Sequence, residues 1–255
     1  MSKQVGPIQF QGKLGTIVGR ATRKGTMSLG MAPTKYTNPN TPKQVTARAR
    51  FLAVTTFTKS VPREAFAGLV RAARGGKMSL NNYAFKFNMA TQKKMNSWNT
   101  DPTIDVMGSK EAQSMARAYL QFSEGIYPSE ADTSVDVTKP GTVKVGFKRN
   151  ASIPAAPGTK KVQHVVLYCA EAETFIHGSA VVAASAETSD VIVAVPAAWT
   201  GLRVYVYAYT QFVEDGSVDV DYNVYSNIAA IASWMETNAQ MSSSKTSYLG
   251  TAEIG

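Results

Sequence analysis

The hydrophobic pattern of this chain of 255 residues changes its period partway along. In several stretches between residues 41 and 94, apolar residues recur every three or four positions, as on one face of a helix. From about residue 119 they alternate with polar residues, as Val143, Val145 and Phe147 do. Alternation of this kind is typical of a strand with one buried face. The two periods in separate stretches predict an α+β fold.

Residues 1–40 are expected to form an extended basic arm with one or two short strands. Glycines recur through it, among them Gly12, Gly15 and Gly19, with short apolar pieces such as Ile17 and Val18 between them. Glycines at this spacing interrupt a helical period and favour turns. Because such an arm has little core of its own, we expect it to become ordered only against a partner.

A small helical unit is predicted for residues 41–100. Thr41, Pro42 and Gln44 have the residue types of a helix start, and Pro62 ends or kinks this first helix. Its expected buried face comprises Val45, Ala49, Leu52 and Thr56.

Two further helices complete this unit. The second, residues 63–74, carries an apolar stripe of Phe66, Leu69, Val70 and Ala73. Ser79 can cap the third, whose stripe is Leu80, Tyr83, Ala84 and Phe87. Residues 101–118 are expected to be a linker or an insertion.

Short β-rich segments separated by turn signals extend from residue 119 to residue 235. They are residues 143–147, 162–169, 180–184, 191–195, 204–212 and 218–224. Roughly seven strands over this length predict an all-β immunoglobulin-like sandwich. With Cys169 as the only cysteine, packing must hold it without an internal disulfide. Residues 236–255 are expected to be a flexible tail.

Charge is divided unequally along the chain. Residues 1–100 hold 17 Lys or Arg and a single acid, Glu64, whereas residues 101–255 hold 10 Lys or Arg and 17 Asp or Glu. Cations before Glu64 must therefore meet phosphate, water or an acidic protein surface. Nucleic acid and the acidic half of a neighbouring copy are both suitable partners for these cations. The alternative is a basic face that is solvated and has no partner.

Seven cations are the predicted partner-binding residues. They are Lys13, Arg20, Arg23, Lys24, Lys35, Arg48 and Arg50. Docking through them predicts a homo-oligomer or an assembly with other proteins. The opening residues lack the apolar stretch of a secretion signal, and no apolar run reaches the roughly 20 residues that cross a bilayer, so no membrane partner is expected.

The sequence gives only weak indications of a catalytic site, and no cofactor or metal is expected. Residues 12–20 are rich in glycine, but they lack the Gly-Lys-Ser/Thr ending of a P-loop. His164, His177 and Cys169 can converge only through the fold, and a buried thiol with partly exposed imidazoles is the stronger expectation.

Two further patterns have a functional and a structural interpretation each. Asp219 and Asp221 suit calcium or acid–base chemistry, although a solvated sheet face is favoured. Tyr205, Tyr207 and Tyr209 alternate along a strand and suit base stacking, although core or subunit packing is favoured.

Several short motifs, taken in order, resemble an uncharacterised family found in Bacteroidota bacteria and in their tailed phages. They are the glycine-rich residues 12–19, RKG at 23–25, PNTPKQ at 39–44, RARF at 48–51, NNYA at 81–84, LQFSEG at 120–125, PAAWTG at 196–201 and YSN at 225–227. The resemblance implies a basic N-terminal module joined to an immunoglobulin-like domain, and it supplies no catalytic residue.

A phage context makes a non-enzymatic virion protein the leading expectation, assembled in the host cytoplasm and located in the capsid, neck or tail. The runner-up is a nucleic-acid-binding protein that uses the same basic half on phosphates.

Overall fold

The computed structural model describes residues 2–3, 12–21, 27–31, 41–94, 119–153, 160–213 and 228–255. It is a mixed α/β structure, largely β, with several antiparallel sheets. The chain divides into two compact units, Met1–Gln44 and Val45–Gly255.

The first unit contains a four-stranded antiparallel sheet where the sequence predicts an extended arm with one or two strands. Its strands are β1 (Ser2–Lys3), β2 (Gly12–Leu14), β3 (Ile17–Ala21) and β4 (Met27–Met31), paired in the order β1-β4-β3-β2. Gly15 turns the chain between β2 and β3 with a φ of 59°, a conformation that costs glycine little. The short apolar pieces between the glycines therefore pair with one another.

The helical segments between residues 42 and 94 begin and end close to their predicted positions, whereas α4 is a helix where the sequence predicts strands and a flexible tail. They are α1 (Pro42–Ser60), a 3-10 helix (Arg63–Leu69), α2 (Val70–Gly75), α3 (Leu80–Lys94) and α4 (Ile228–Ala239). At the start of α1 the Thr41 N–H donates to Gln44 Oε1 over 3.4 Å, and the Ser79 hydroxyl accepts from the Asn82 N–H over 3.3 Å. The predicted reach of Gln44 back to the helix start and the predicted Ser79 cap are confirmed. None of the described helices has the length and apolar character needed to cross a membrane.

The buried face of α1 differs from the predicted one. Val45 is 51% exposed and Leu52 is 56% exposed, whereas Val54 and Phe57 are fully buried. The Phe57 ring packs against Phe122 and Phe175, with ring centroids 5.9 and 5.5 Å away. Several faces of α1 carry apolar residues, so periodicity alone did not select the one that meets these aromatic rings.

The segment predicted as one helix over residues 63–74 begins as a 3-10 helix because a tyrosine hydroxyl enters it. The Tyr209 hydroxyl donates to the Ala65 carbonyl over 3.0 Å and accepts from the Gly68 N–H over 3.4 Å. Phe66, between them, leaves helical geometry with φ −97° and ψ 15°. A contact distant in sequence thus overrides the local helical pattern.

Two antiparallel sheets follow in the second unit. One has the order β5-β6-β9, and the other has the order β8-β7-β10, with β11 and β12 both pairing with β10. Their bounds are Ala131–Asp136 for β5, Thr142–Lys148 for β6, Lys160–Cys169 for β7, Thr174–Ala183 for β8, Thr188–Ala194 for β9, Arg203–Val213 for β10, Ser242–Ser243 for β11 and Ser247–Glu253 for β12. Burial alternates along β6, as predicted.

The sheets share one apolar core. It is built by Val143 and Val145 from β6, Val193 from β9, Leu167 from β7 and Val206 from β10.

The helices cover the other face of the larger sheet. Phe57, Phe66, Phe122, Tyr168 and Tyr207 belong to a second core that combines helical and strand residues. The helical segment predicted as a separate domain therefore lies in the same compact unit as the strands.

Residues 236–255 form structure where the sequence predicts a flexible tail. Ser242, Ser243 and Ser244 are buried, and β12 pairs with β10 from Arg203↔Glu253 to Ala208↔Ser247. The Ser244 N–H donates to the Thr210 carbonyl over 2.7 Å, and its hydroxyl accepts from the Thr210 N–H over 2.9 Å. Burial of Ser244 is possible because Thr210 of the neighbouring strand satisfies its polar groups.

Candidate interaction surface

The seven predicted partner-binding cations do not all fall within the described residues. Those described are Lys13 in β2, Arg20 in β3, and Arg48 and Arg50 in α1. Those outside are Arg23, Lys24 and Lys35. The backbone pairing puts Lys13 opposite Val18 and Arg20 opposite Ser28.

A groove of about 710 Å³ lies between α1 and α3, and the predicted residues do not include its lining. Its apolar lining includes Phe51 and Phe85, whose ring centroids are 4.8 Å apart, together with Met89. Lys59, Lys86 and Lys93 also line it, and each lysine is exposed.

The groove is strongly biased in charge. No Asp or Glu is among the described residues that line it. None of the ion pairs found among the described residues involves Lys59, Lys86 or Lys93. An apolar floor with ammonium groups around it suits a partner surface that combines apolar side chains with carboxylates.

A smaller cavity of about 360 Å³ lies where α3 faces the segment before β5. Tyr83, Glu124, Arg71 and Ser243 are among its lining residues. The Tyr83 hydroxyl donates to the Glu124 carboxylate. Burial, followed by this carboxylate, raises the pKa of Tyr83 to about 12, so the phenol keeps its proton.

His164 and His177 converge on one face of the larger sheet. His164 Nδ1 and His177 Nε2 are 2.9 Å apart, and His164 Nε2 is 2.8 Å from Gln211 Oε1. Burial lowers the pKa of His177 to about 4, and burial followed by His177 holds the pKa of His164 well below its usual value. Both rings are therefore neutral at pH 7, and the expected partly exposed imidazole is wrong for His164, which is fully buried.

Cys169 does not join the two histidines. Its side chain lies in the core between the sheets, on the opposite face of β7. Burial raises the pKa of the thiol, so the buried thiol predicted from the sequence is confirmed. The described residues contain no group of three metal-ligating side chains.

An ion pair lies at the end of the same core. Lys161 Nζ is 3.3 Å from Glu130 Oε1, and both side chains are 2% exposed. Glu130 also accepts from the Thr210 hydroxyl and from the Asn150 N–H, each over 3.3 Å. These contacts satisfy the carboxylate inside the protein, which indicates a structural role.

The tyrosines of β10 settle one of the open alternatives. Tyr207 is fully buried and Tyr209 is 2% exposed, and both belong to the core under the helices. The core interpretation is confirmed for these two residues, and Tyr205 is partly buried against the same core. Asp219 and Asp221 lie outside the described residues.

Asn88 is a buried residue that the apolar pattern of α3 did not reveal. Its amide nitrogen donates to the carbonyls of Ala84 and Gln121, each over 3.0 Å, and its Oδ1 accepts from the Gln121 N–H over 2.8 Å. Asn88 thus ties α3 to the segment that leads into the sheets.

Comparison with known proteins identifies the family. No curated protein and no solved structure matches this chain. A family model described as a family of unknown function, DUF6266, matches residues 9–227, which is most of the chain. The protein therefore belongs to this family of unknown function.

Proposed function

We propose that the protein is a non-enzymatic structural component that docks onto an acidic protein surface through its cationic helical layer and N-terminal unit. The observation that carries the proposal is the α1–α3 groove, where Lys59, Lys86 and Lys93 surround an apolar floor without a carboxylate among the described lining residues. A surface of this kind gains both apolar burial and charge pairing when it docks.

The remainder of the chain has the opposite net charge. Residues 101–255 hold 17 Asp or Glu against 10 Lys or Arg, so this half of a neighbouring copy is acidic by composition. Attraction between the two halves would orient the copies before contact and would weaken as salt screens it.

The N-terminal unit is also cationic. Met1–Gln44 contains seven Lys or Arg and no Asp or Glu. The proposed contact residues here and at the start of α1 are Lys13, Arg20, Arg23, Lys24, Lys35, Arg48 and Arg50.

We infer that the body is an immunoglobulin-like sandwich. The sheet orders β5-β6-β9 and β8-β7-β10-β12, with a shared apolar core, support this inference. The resemblance of the sequence motifs to a family of Bacteroidota bacteria and their phages supports a phage particle as the assembly, in its capsid, neck or tail.

Charge reversal at the groove tests the proposal. In the full chain, the combined variant Lys59→Glu, Lys86→Glu and Lys93→Glu should weaken self-association about tenfold or more at low salt, since three exposed pairs at about 0.2–1 kcal/mol each become repulsive. Sedimentation velocity at low and high salt measures this. The matched control reverses Lys139, Arg203 and Lys245, which are exposed and outside the groove. Equal weakening by both variants would contradict docking through the groove.

The second candidate function is nucleic-acid binding. It is favoured by the composition of Met1–Gln44, which contains seven Lys or Arg and no Asp or Glu. Each phosphate contacted adds about 0.9 to the slope of log affinity against log salt for duplex DNA. Anisotropy titrations of labelled duplex DNA at several salt concentrations measure that slope. A steep slope together with weak self-association would replace the structural proposal with this one.

A further inference from the structure

Strand β8, Thr174–Ala183, is an outer strand of the larger sheet. It pairs with β7 along its whole length, from Cys169↔Thr174 to Lys160↔Ala183. Among the described residues no strand pairs with its other side. An outer strand of this kind presents a row of backbone donors and acceptors that another strand can use.

Its composition makes β8 unusually open to pairing. Its ten residues include no Lys, Arg, Asp, Glu or Pro. Proteins commonly protect such edges with charges, proline, bulges or short strands. His177 is the titratable group in β8, and it faces His164 of β7 and is neutral at pH 7.

The other outer strands of the two sheets in the second unit carry such protection. β5 has a register shift between Ala131 and Ser134, and it ends at Asp136. β9 contains Asp190, which pairs with Lys144 over 2.9 Å. β12 pairs with β10 through a register shift and ends at Glu253. β11 is only two residues long, which limits pairing in another way. β8 differs from all four.

Side chains along β8 also suit a close partner. Gly178, Ser179 and Ala180 form a small-residue centre, and Val181 beyond it is 52% exposed. A Cβ at Gly178 would lie 2.6 Å from Val193 Cγ2, so glycine is needed there for the approach of the two sheets. Val181 lies opposite the buried Val162 of β7 and still leaves about half of its surface exposed.

We propose that β8 pairs antiparallel with β8 of a second copy around a two-fold axis, joining two sheets into one continuous sheet. The axis keeps equivalent faces on the same side, so Val181 of one copy lies on the face that carries Phe175 and His177 of the other. This interface uses backbone pairing and is separate from the cationic docking surface proposed above.

The test introduces a charge into this edge. Light scattering of the full chain should show a dimer that persists at high salt. Val181→Lys should raise the dissociation constant of this dimer at least about tenfold, because each copy would bring a lysine into an edge that has no charge to pair with it. The matched control is Ile192→Lys in β9, an exposed apolar residue at 65% on the other sheet, which should leave the dimer unchanged.

A second variant covers a failure of Val181→Lys to fold. Ser179→Cys places an exposed thiol close to the proposed two-fold axis, where it would face the same residue of the second copy. Cys169 is buried and does not compete. Mild oxidation should link two chains through residue 179. A wild-type chain that stays monomeric at high salt, an unchanged dimer with Val181→Lys, or an equal loss with Ile192→Lys would each overturn the proposal. The salt dependence separates this outcome from failure of the cationic docking.

Discussion

The two faces of the larger sheet are packed by different chemistry. Toward β5-β6-β9 the face is aliphatic at its centre, with Val165, Leu167, Val204 and Val206. Toward the helices it carries aromatic and polar side chains, with Tyr209 stacked on His164 at a centroid distance of 4.6 Å.

This difference bears on how each face is stabilised. The aliphatic face depends mainly on apolar area removed from water. The aromatic face adds directional hydrogen bonds, such as that from the Tyr209 hydroxyl to the Ala65 carbonyl, which fix where the helices sit. The helical layer that carries the cationic groove is thus attached to the sheet by specific contacts.

The largest expected effect on stability comes from removing the buried cation at the end of the aliphatic core. Lys161→Met leaves Glu130 buried without its cation, and the free energy of unfolding should fall by about 3–5 kcal/mol. Denaturant titration measures the loss. Adding Glu130→Gln should recover part of it, and Lys139→Met, at an exposed site, should change little. A loss below about 1 kcal/mol for Lys161→Met would show that the carboxylate tolerates burial alone.

A smaller effect is expected on the aromatic face. Tyr209→Phe keeps the ring but removes the hydroxyl that bonds Ala65 and Gly68, and unfolding free energy should fall by about 1–3 kcal/mol. Tyr119→Phe, at an exposed residue, serves as the control. If the two variants lose the same amount, the hydroxyl does not position the helices.

The smallest effect concerns pH and the histidine pair. Burial holds the pKa of His177 at about 4 and that of His164 well below its usual range, so the unfolded chain binds more protons than the folded one between about pH 6.5 and 4. Stability is therefore complete above the unfolded pKa and falls as pH decreases through this window. Because His177 is half-buried, water screens its charge, and we expect the contribution of His177 to be smaller than that of the Tyr209 hydroxyl.

Denaturation midpoints across this pH window measure the loss. His177→Asn removes one titrating group and should flatten the dependence. A profile that is already flat in the wild-type chain would contradict neutral, buried rings.

Features with a local cause were predictable from the sequence. Alternation of Val143, Val145 and Phe147 located β6, and the residue types at Thr41 and Ser79 located two helix starts. The contacts at the two helix starts lie within a few residues along the chain, and the alternation along β6 can be seen in a short stretch of sequence.

Features with a distant cause were not predictable in this way. The buried serines at 242–244 depend on β10, and the 3-10 geometry around Phe66 depends on Tyr209. Within the candidate site, the charge imbalance was visible in the sequence. The groove was not, because it forms only when α1 and α3 lie side by side.

Cross-linking tests the central claim most directly. Full-length protein made as isotopically light and heavy copies is mixed, treated with a reagent that joins amines to carboxylates without a spacer, and examined by mass spectrometry. The account predicts mixed light–heavy links from Lys59, Lys86 or Lys93 to carboxylates among residues 101–255, lost at high salt. Light–heavy links that avoid these three lysines would contradict docking through the groove.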